Sequence, residues 1–236
     1  MDAGGGTEAL AATQAATEAT RDALVQAARA QRDELLVLAS HDMKNAVGIL
    51  DSALGMIEEM PEQTAMMQGM MRRATHRLGI LVRALVDVDC LQREVMPLMP
   101  TEIRWSAVVT PAIELALAVS QTKEIAVVPR GDEQARLWCD AGLVDRMLTA
   151  LVDHAIGNAP SKSVIDVEGT RLGEGRFRIR VVATGRAVPP GALEQYFTTL
   201  PLRFCRLAAL RHGAVLRALS PVDERGGMAF ELELPG

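Results

Sequence analysis

The stretch Ala39-Ser40-His41-Asp42-Met43-Lys44-Asn45 decides how the rest of this 236-residue chain is read. It lies inside a long helical pattern. Around it Leu36, Met43, Leu50 and Ile57 recur, with Val47 and Leu54 between them, in alternating steps of three and four. That spacing puts the a and d positions of a bundle or coiled-coil seam against a partner helix. His41 and Asn45 are four residues apart and share a helix face. Neither falls on the predicted seam. The pattern therefore predicts an outward histidine with an acid beside it and an amide one turn on.

Working outward, residues 1–33 read as a helical lead-in, rich in Ala, Thr, Glu and Gln with scattered Leu. The main helix is predicted to end at about Met60, because Pro61 lacks a donor and disfavours helix before it. A second helix follows at once. Met67, Met71, Ala74, Leu78, Leu81, Leu85 and Val88 step four, three, four, three, four, three. The link Pro61-Glu62-Gln63 is short, so the two helices must be antiparallel neighbours. Residues 34–95 thus form a helical hairpin. A lone hairpin leaves half of each seam wet. At roughly 1.5–3 kcal/mol per fully buried large aliphatic side chain, a second hairpin is expected to cover it, giving a homodimeric four-helix bundle.

Met96-Pro97-Leu98-Met99-Pro100 breaks the helical pattern and marks a boundary. Residues 101–236 read as a second domain. Helices are predicted over 104–120, 141–158 and 202–211. Strands are predicted over 124–129, 135–139, 164–168, 177–181, 214–219 and 228–234, with turns at Arg130-Gly131-Asp132, Gly173-Glu174-Gly175 and Arg225-Gly226-Gly227. Phe177-Arg178-Ile179-Arg180-Val181 alternates apolar and Arg, so one sheet face is wet. Helices against a mostly antiparallel sheet make an α+β domain.

Composition narrows the function. Hydrophobic residues at 49% supply a core, and aromatic residues at 3% make it aliphatic. A net charge of −5 argues against nucleic acid as the partner. No apolar run approaches the ~18–20 residues of a membrane span. Met1-Asp2-Ala3-Gly4-Gly5-Gly6 lacks the basic and apolar regions of a signal peptide. Cys90, Cys139 and Cys205 are far apart, without metal-ligand spacing, and fit small buried hydrophobes in a reducing cytoplasm. No metal site is predicted.

A histidine in a helical hairpin, then an α+β sandwich, resembles the cytoplasmic core of two-component histidine kinases, over about residues 34–235. Ala39 to Asn45 is similar to the family's H-box, and Leu85-Val86-Asp87-Val88-Asp89 to the end of its second bundle helix. The resemblance implies that His41 is phosphorylated, that Asp42 orients or deprotonates the ring, and that Asn45 positions water for dephosphorylating a partner. The family's proline five after the histidine is Ala46 here. The residue chemistry agrees. A neutral imidazole offers one nucleophilic nitrogen near neutral pH, a carboxylate fixes its tautomer, and an amide one turn away can hold a water.

The second domain resembles the family's ATP-binding domain in layout, while its nucleotide residues depart from the pattern. His154 stands at the magnesium-binding asparagine of the N-box, within Leu151-Val152-Asp153-His154-Ala155-Ile156. In Val182-Ala183-Thr184-Gly185-Arg186-Ala187-Val188-Pro189, Gly185 is kept, Ala183 replaces the adenine-binding aspartate and Ala187 replaces a second glycine. Thr198-Thr199-Leu200-Pro201 is all that stands for the long lid. These changes remove an oxygen ligand for a metal, a charged acceptor, space for a phosphate, and N–H groups to cradle it. The expectation is a degenerate site that binds no cofactor. A phosphorylatable histidine with such a domain resembles the ChpT-like and sporulation-type histidine phosphotransferases. That implies a cytoplasmic phosphorelay protein passing a phosphoryl group between His41 and the aspartate of a response-regulator receiver domain, which would supply the magnesium. A non-catalytic pseudokinase scaffold and an active kinase with an atypical ATP site remain the alternatives.

Overall fold

The computed structural model describes residues 4–120, 123–185, 187–222 and 227–236. Helix α1 runs Gly4–Glu59, 56 residues and about 84 Å at 1.5 Å per residue. A 3-10 turn, Pro61–Gln63, reverses the chain, and the Gln63 N–H donates to the Met60 carbonyl at 3.0 Å. Helix α2 is Thr64–Gln92 and packs back along α1.

The seam on α1 differs from the one expected. Leu35, Ala39, Ala46 and Ala53 are the residues buried there, with Met43, Leu50 and Ile57 half-buried. Leu36, Val47 and Leu54 are 45%, 45% and 51% exposed, so they face away from α2. The sequence pattern had merged two neighbouring stripes. The alanines at seven-residue spacing let the helices approach closely, which large side chains at those positions would prevent. Ala46, in place of a proline, is part of this contact and keeps its backbone donor. On α2, Met67, Ala74, Leu81 and Val88 are buried and Met71, Leu78 and Leu85 half-buried, as their spacing predicts.

The second domain contains β1 (Thr101–Arg104), α3 (Trp105–Ser120), β2 (Ala126–Arg130), β3 (Arg136–Cys139), α4 (Ala141–Asn158), β4 (Val164–Arg171), β5 (Phe177–Ala183), α5 (Pro190–Tyr196), α6 (Leu200–Arg211), β6 (Val215–Leu219) and β7 (Met228–Leu234). The main sheet has the order β2-β4-β5-β7-β6, parallel between β2 and β4 and antiparallel elsewhere. This is the α+β architecture expected. The strands flanking Arg130-Gly131-Asp132 do not pair with each other. β3 joins β1, a short strand that the sequence pattern did not mark. The final pair β6–β7 forms as predicted, while residues 223–226 of its turn lie outside the described residues.

Burial explains the layers. Phe177, Ile179, Val181 and Ala183 of β5 point to the helices. Their neighbours point outward into a cross-strand charge ladder, with Arg180 at 3.2 Å from Glu168 and 3.6 Å from Glu231. Asp140 caps α4 by accepting from the Leu143 N–H at 3.0 Å. Its other carboxylate oxygen accepts from the Met99 N–H at 3.1 Å, fixing the linker.

The two halves share one apolar cluster, which runs from Leu35, Ala39, Leu81 and Val88 into Val144, Leu148 and Phe204. Ion pairs edge the junction: Asp87–Arg146 at 2.8 Å, Glu34–Arg203 at 3.0 Å and Glu94–Arg211 at 3.4 Å.

Trp105 anchors the far side of the second domain. It is fully buried, its indole N–H donates to the Arg130 carbonyl at 3.1 Å, and its ring lies on Gly169. A Cβ at Gly169 would sit 2.5 Å from a ring carbon of Trp105. Gly169→Ala should therefore cost about 1–3 kcal/mol by overpacking. Gly48→Ala meets nothing within 4 Å and should be neutral or stabilising. Urea denaturation of the two variants checks this; equal midpoints would refute it.

Candidate functional site

His41 projects from α1 with a side chain 75% exposed, while the Asp42 side chain is only 14% exposed. Their Nδ1 and Oδ1 atoms are 3.3 Å apart. An ionised carboxylate can only accept, so this contact puts the proton on Nδ1 and leaves the Nε2 lone pair free. The other oxygen of Asp42 is buried and makes no hydrogen bond among the described residues. Asp42 thus lies between the exposed face and the seam, where packing limits its rotamers. Asn45, one turn on, is exposed.

Glu34 lies seven residues before His41. Seven residues turn an α-helix almost twice, so the two share a face about 10 Å apart along the axis. Glu34 is held by Arg203 in the first turn of α6 at 3.0 Å. The second domain therefore meets α1 on the side that carries His41. Nothing in sequence spacing alone links Arg203 to Glu34, 169 positions away.

The remaining candidate residues separate into two places. Ala183, Gly185 and Ala187 line a cleft of about 410 Å³, closed on other sides by Asn158, Tyr196 and Met228. Gly185 has φ +153, and a Cβ there would come 3.3 Å from the Pro160 ring. The Asn158 side chain is already used, donating to the His154 carbonyl at 2.8 Å. Methyl groups and backbone dominate the walls near Ala183 and Ala187, and no carboxylate is among the lining residues that are described.

His154 does not line this cleft. Its ring stacks edge-on against Tyr196 and Phe230, with centroids 5.0 Å and 5.4 Å away. Its Nε2 is buried without a hydrogen-bond partner among the described residues. Burial, helped by the positive charge of Arg77, holds its pKa down to about 4. It is a neutral, apolar-packed imidazole. The sequence pattern gave no sign of this aromatic cluster, because its members come from α4, α5 and β7. Among the described residues no group of three or more His, Cys, Asp or Glu is placed to hold a metal ion. No described helix is long and apolar enough to cross a membrane.

The His154 environment has a consequence for stability. The folded imidazole takes a proton only near pH 4, and an unfolded one near pH 6.5. Across that window the unfolded chain binds more protons, so the His154 contribution is lost as pH falls from 6.5 toward 4, with an upper bound on the order of 3 kcal/mol. Burial raises the carboxyls of Asp87, Asp145 and Asp153, which oppose this trend. The difference between wild type and His154→Phe isolates the effect. The variant should gain stability relative to wild type as pH drops through the window in urea titrations; parallel curves would disprove it.

No family model matches the chain. Two curated relatives are similar over most of it. Sensor protein KdpD from Mycobacterium tuberculosis, in strains CDC 1551 and H37Rv, is 28% identical over 192 residues. These alignments cover 77% of this chain and 22% of the length of KdpD. Among solved structures, the Acinetobacter baumannii histidine kinase AdeS has TM-score 0.62 at 14% identity, covering 83% of this chain and 97% of that one. The catalytic domain of histidine kinase ThkA has TM-score 0.52 at 21% identity, covering 59% and 96%. ThkA in complex with the response regulator TrrA gives TM-score 0.56 at 18% identity, covering 86% and 61%. The chain thus has the fold of these histidine kinases, a helical hairpin followed by an α+β domain like their ATP-binding domains.

Proposed function

We propose that this chain is a phosphorelay protein of two-component signalling, working in the cytoplasm without ATP, in the manner of ChpT-like histidine phosphotransferases. The observation that carries the reading is the contrast between its two halves. His41 is exposed, with Nδ1 turned to Asp42 and Nε2 open. The cleft in the second domain presents Ala183 and Ala187 where a nucleotide would need a carboxylate and bare backbone, and His154 packs among aromatic rings. These residues do not fit a magnesium nucleotide.

In the proposed step the Nε2 lone pair attacks the phosphorus of an aspartyl phosphate on a receiver domain. The N–P bond forms as the aspartate O–P bond breaks, and the aspartate leaves as a carboxylate. Asp42 stabilises the positive charge that develops on the ring. The receiver brings its own magnesium, and the reverse step loads another receiver. Asn45, one turn on, is placed to orient a water for hydrolysis. The complex of the related ThkA with a response regulator supports such a partner.

The test is to incubate the protein with labelled ATP alone, and separately with a panel of phosphorylated receiver domains. Label should come only from a receiver and disappear in His41→Ala. Asn45→Ala should keep transfer and slow hydrolysis. Label from ATP alone, or from no receiver, would overturn the reading.

The same reading makes the protein a homodimer. Leu36, Val47 and Leu54 form an apolar stripe that α2 leaves uncovered, and a second hairpin would bury it. Light scattering at micromolar concentration should give twice the chain mass, and Leu54→Glu should give a monomer. A monomeric wild type would refute this arm.

A further inference from the structure

A cavity of about 270 Å³ lies where the hairpin meets the second domain. Its walls come from four helices: Gly79, Ile80 and Arg83 of α2, Leu115 of α3, Asp145 of α4 and Phe204 of α6. A dry cavity of ~150 Å³ is enough to bind benzene, so this one has room for a body of roughly ten heavy atoms.

Gly79 is an exposed helix glycine on the cavity wall, as open around its Cβ position as Gly48 and Gly55 of α1. An interior glycine weakens a helix relative to alanine, and close packing is the usual reason for one. Here nothing lies within 4 Å of the position a Cβ would take. The missing side chain leaves open space on the cavity wall.

The charges choose the ligand. Arg146 is engaged by Asp87 at 2.8 Å, and both also line the cavity. His76, at the other end, faces Asp153 at 3.9 Å. Arg83 is exposed. Asp145 is half-buried, and its carboxylate makes no ion pair or hydrogen bond among the described residues. Burial raises its pKa, against the pull of Arg146 and Arg83. A bound carboxylate would meet the exposed Arg83 and an Arg146 already paired with Asp87, and would stand beside Asp87 and Asp145. A bound ammonium would pair with a carboxylate already stripped of much of its water, where a charge-assisted hydrogen bond is strongest.

We propose that this cavity is a binding site for a small organic ammonium ion with an apolar body, its nitrogen on Asp145 and its body against Ile80, Leu115 and Phe204. Occupancy bridges α2 to α4 and so ties the hairpin to the second domain. The site is independent of phosphoryl transfer at His41.

Calorimetric titration of the full chain with 2-phenylethylammonium tests it, beside 2-phenylethanol and 3-phenylpropanoate as neutral and anionic analogues. The ammonium should bind saturably and raise the melting temperature, and both analogues should bind at least tenfold more weakly. Asp145→Asn should lower ammonium affinity at least tenfold and leave the alcohol unchanged. Gly79→Leu should abolish binding of all three by filling the space; if it fails to fold, Asp145→Asn, which keeps the volume, decides alone. No saturation by the ammonium, tighter binding of the carboxylate, or Asp145→Asn without effect would each overturn the proposal.

Discussion

Asp87 is the residue on which the arrangement of the two halves depends. It sits on α2 at 8% exposure, a charged group where the apolar cluster joins the two halves. Burial raises its pKa, and Arg146 on α4 works against that rise from 2.8 Å away. A buried ion pair gives little net stability over a well-packed apolar pair, but an unpaired buried charge is costly. The contact therefore acts through selection. A placement of the second domain that covered Asp87 without Arg146 would leave the carboxylate desolvated with only Arg83 nearby. Glu34–Arg203 and Glu94–Arg211 are more exposed and add modest energy, but they lie toward opposite ends of α6 and set its angle across the hairpin. The apolar cluster supplies the attraction, and the charges supply the register.

That register reaches the histidine. Because Glu34 and His41 share a helix face, fixing α6 on Glu34 fixes the second domain alongside His41. A protein docking at His41 would meet the hairpin together with the domain beside it. Asp42 adds a local constraint of the same kind. With one oxygen on the His41 ring and the other buried at the seam, it transmits the packing of the hairpin to the tautomer of the imidazole.

The sequence carried the parts of this fold that have strong period and clear punctuation. Pro61 ended α1, the unbroken steps from Met67 to Val88 described α2, and the range Ala141–Asn158 of α4 was legible from its amphipathic pattern and from Pro160. The α1 seam was misread because Leu36, Val47 and Leu54 outweigh Ala39, Ala46 and Ala53 in apolar count, although the alanines make the contact. Size, not hydrophobicity, decides how near two helices can come. Strand β1 was invisible because four residues after a proline-rich break carry no period of their own, and it exists only because β3 pairs with it. Exposed His41 could be inferred from one helix. The packing of His154 could not, since Tyr196 and Phe230 reach it from distant elements.

The two halves of the site constrain one another. A domain that carries a nucleotide to a histidine must leave the hairpin and return, so its contacts have to be weak enough to break on the time scale of turnover. Here the junction is an apolar cluster edged by the Asp87–Arg146 ion pair. Opening it would expose that cluster and unpair Asp87. On the proposed reading this carries no penalty, because phosphate reaches His41 from outside on a receiver and the second domain need not move. Once that motion is unnecessary, the bare backbone and carboxylate of a nucleotide cleft lose their use, and methyl groups such as Ala183 and Ala187 become the more stable occupants. A methyl-lined cleft and a fixed junction are then consequences of a single change, the outside supply of the phosphoryl group.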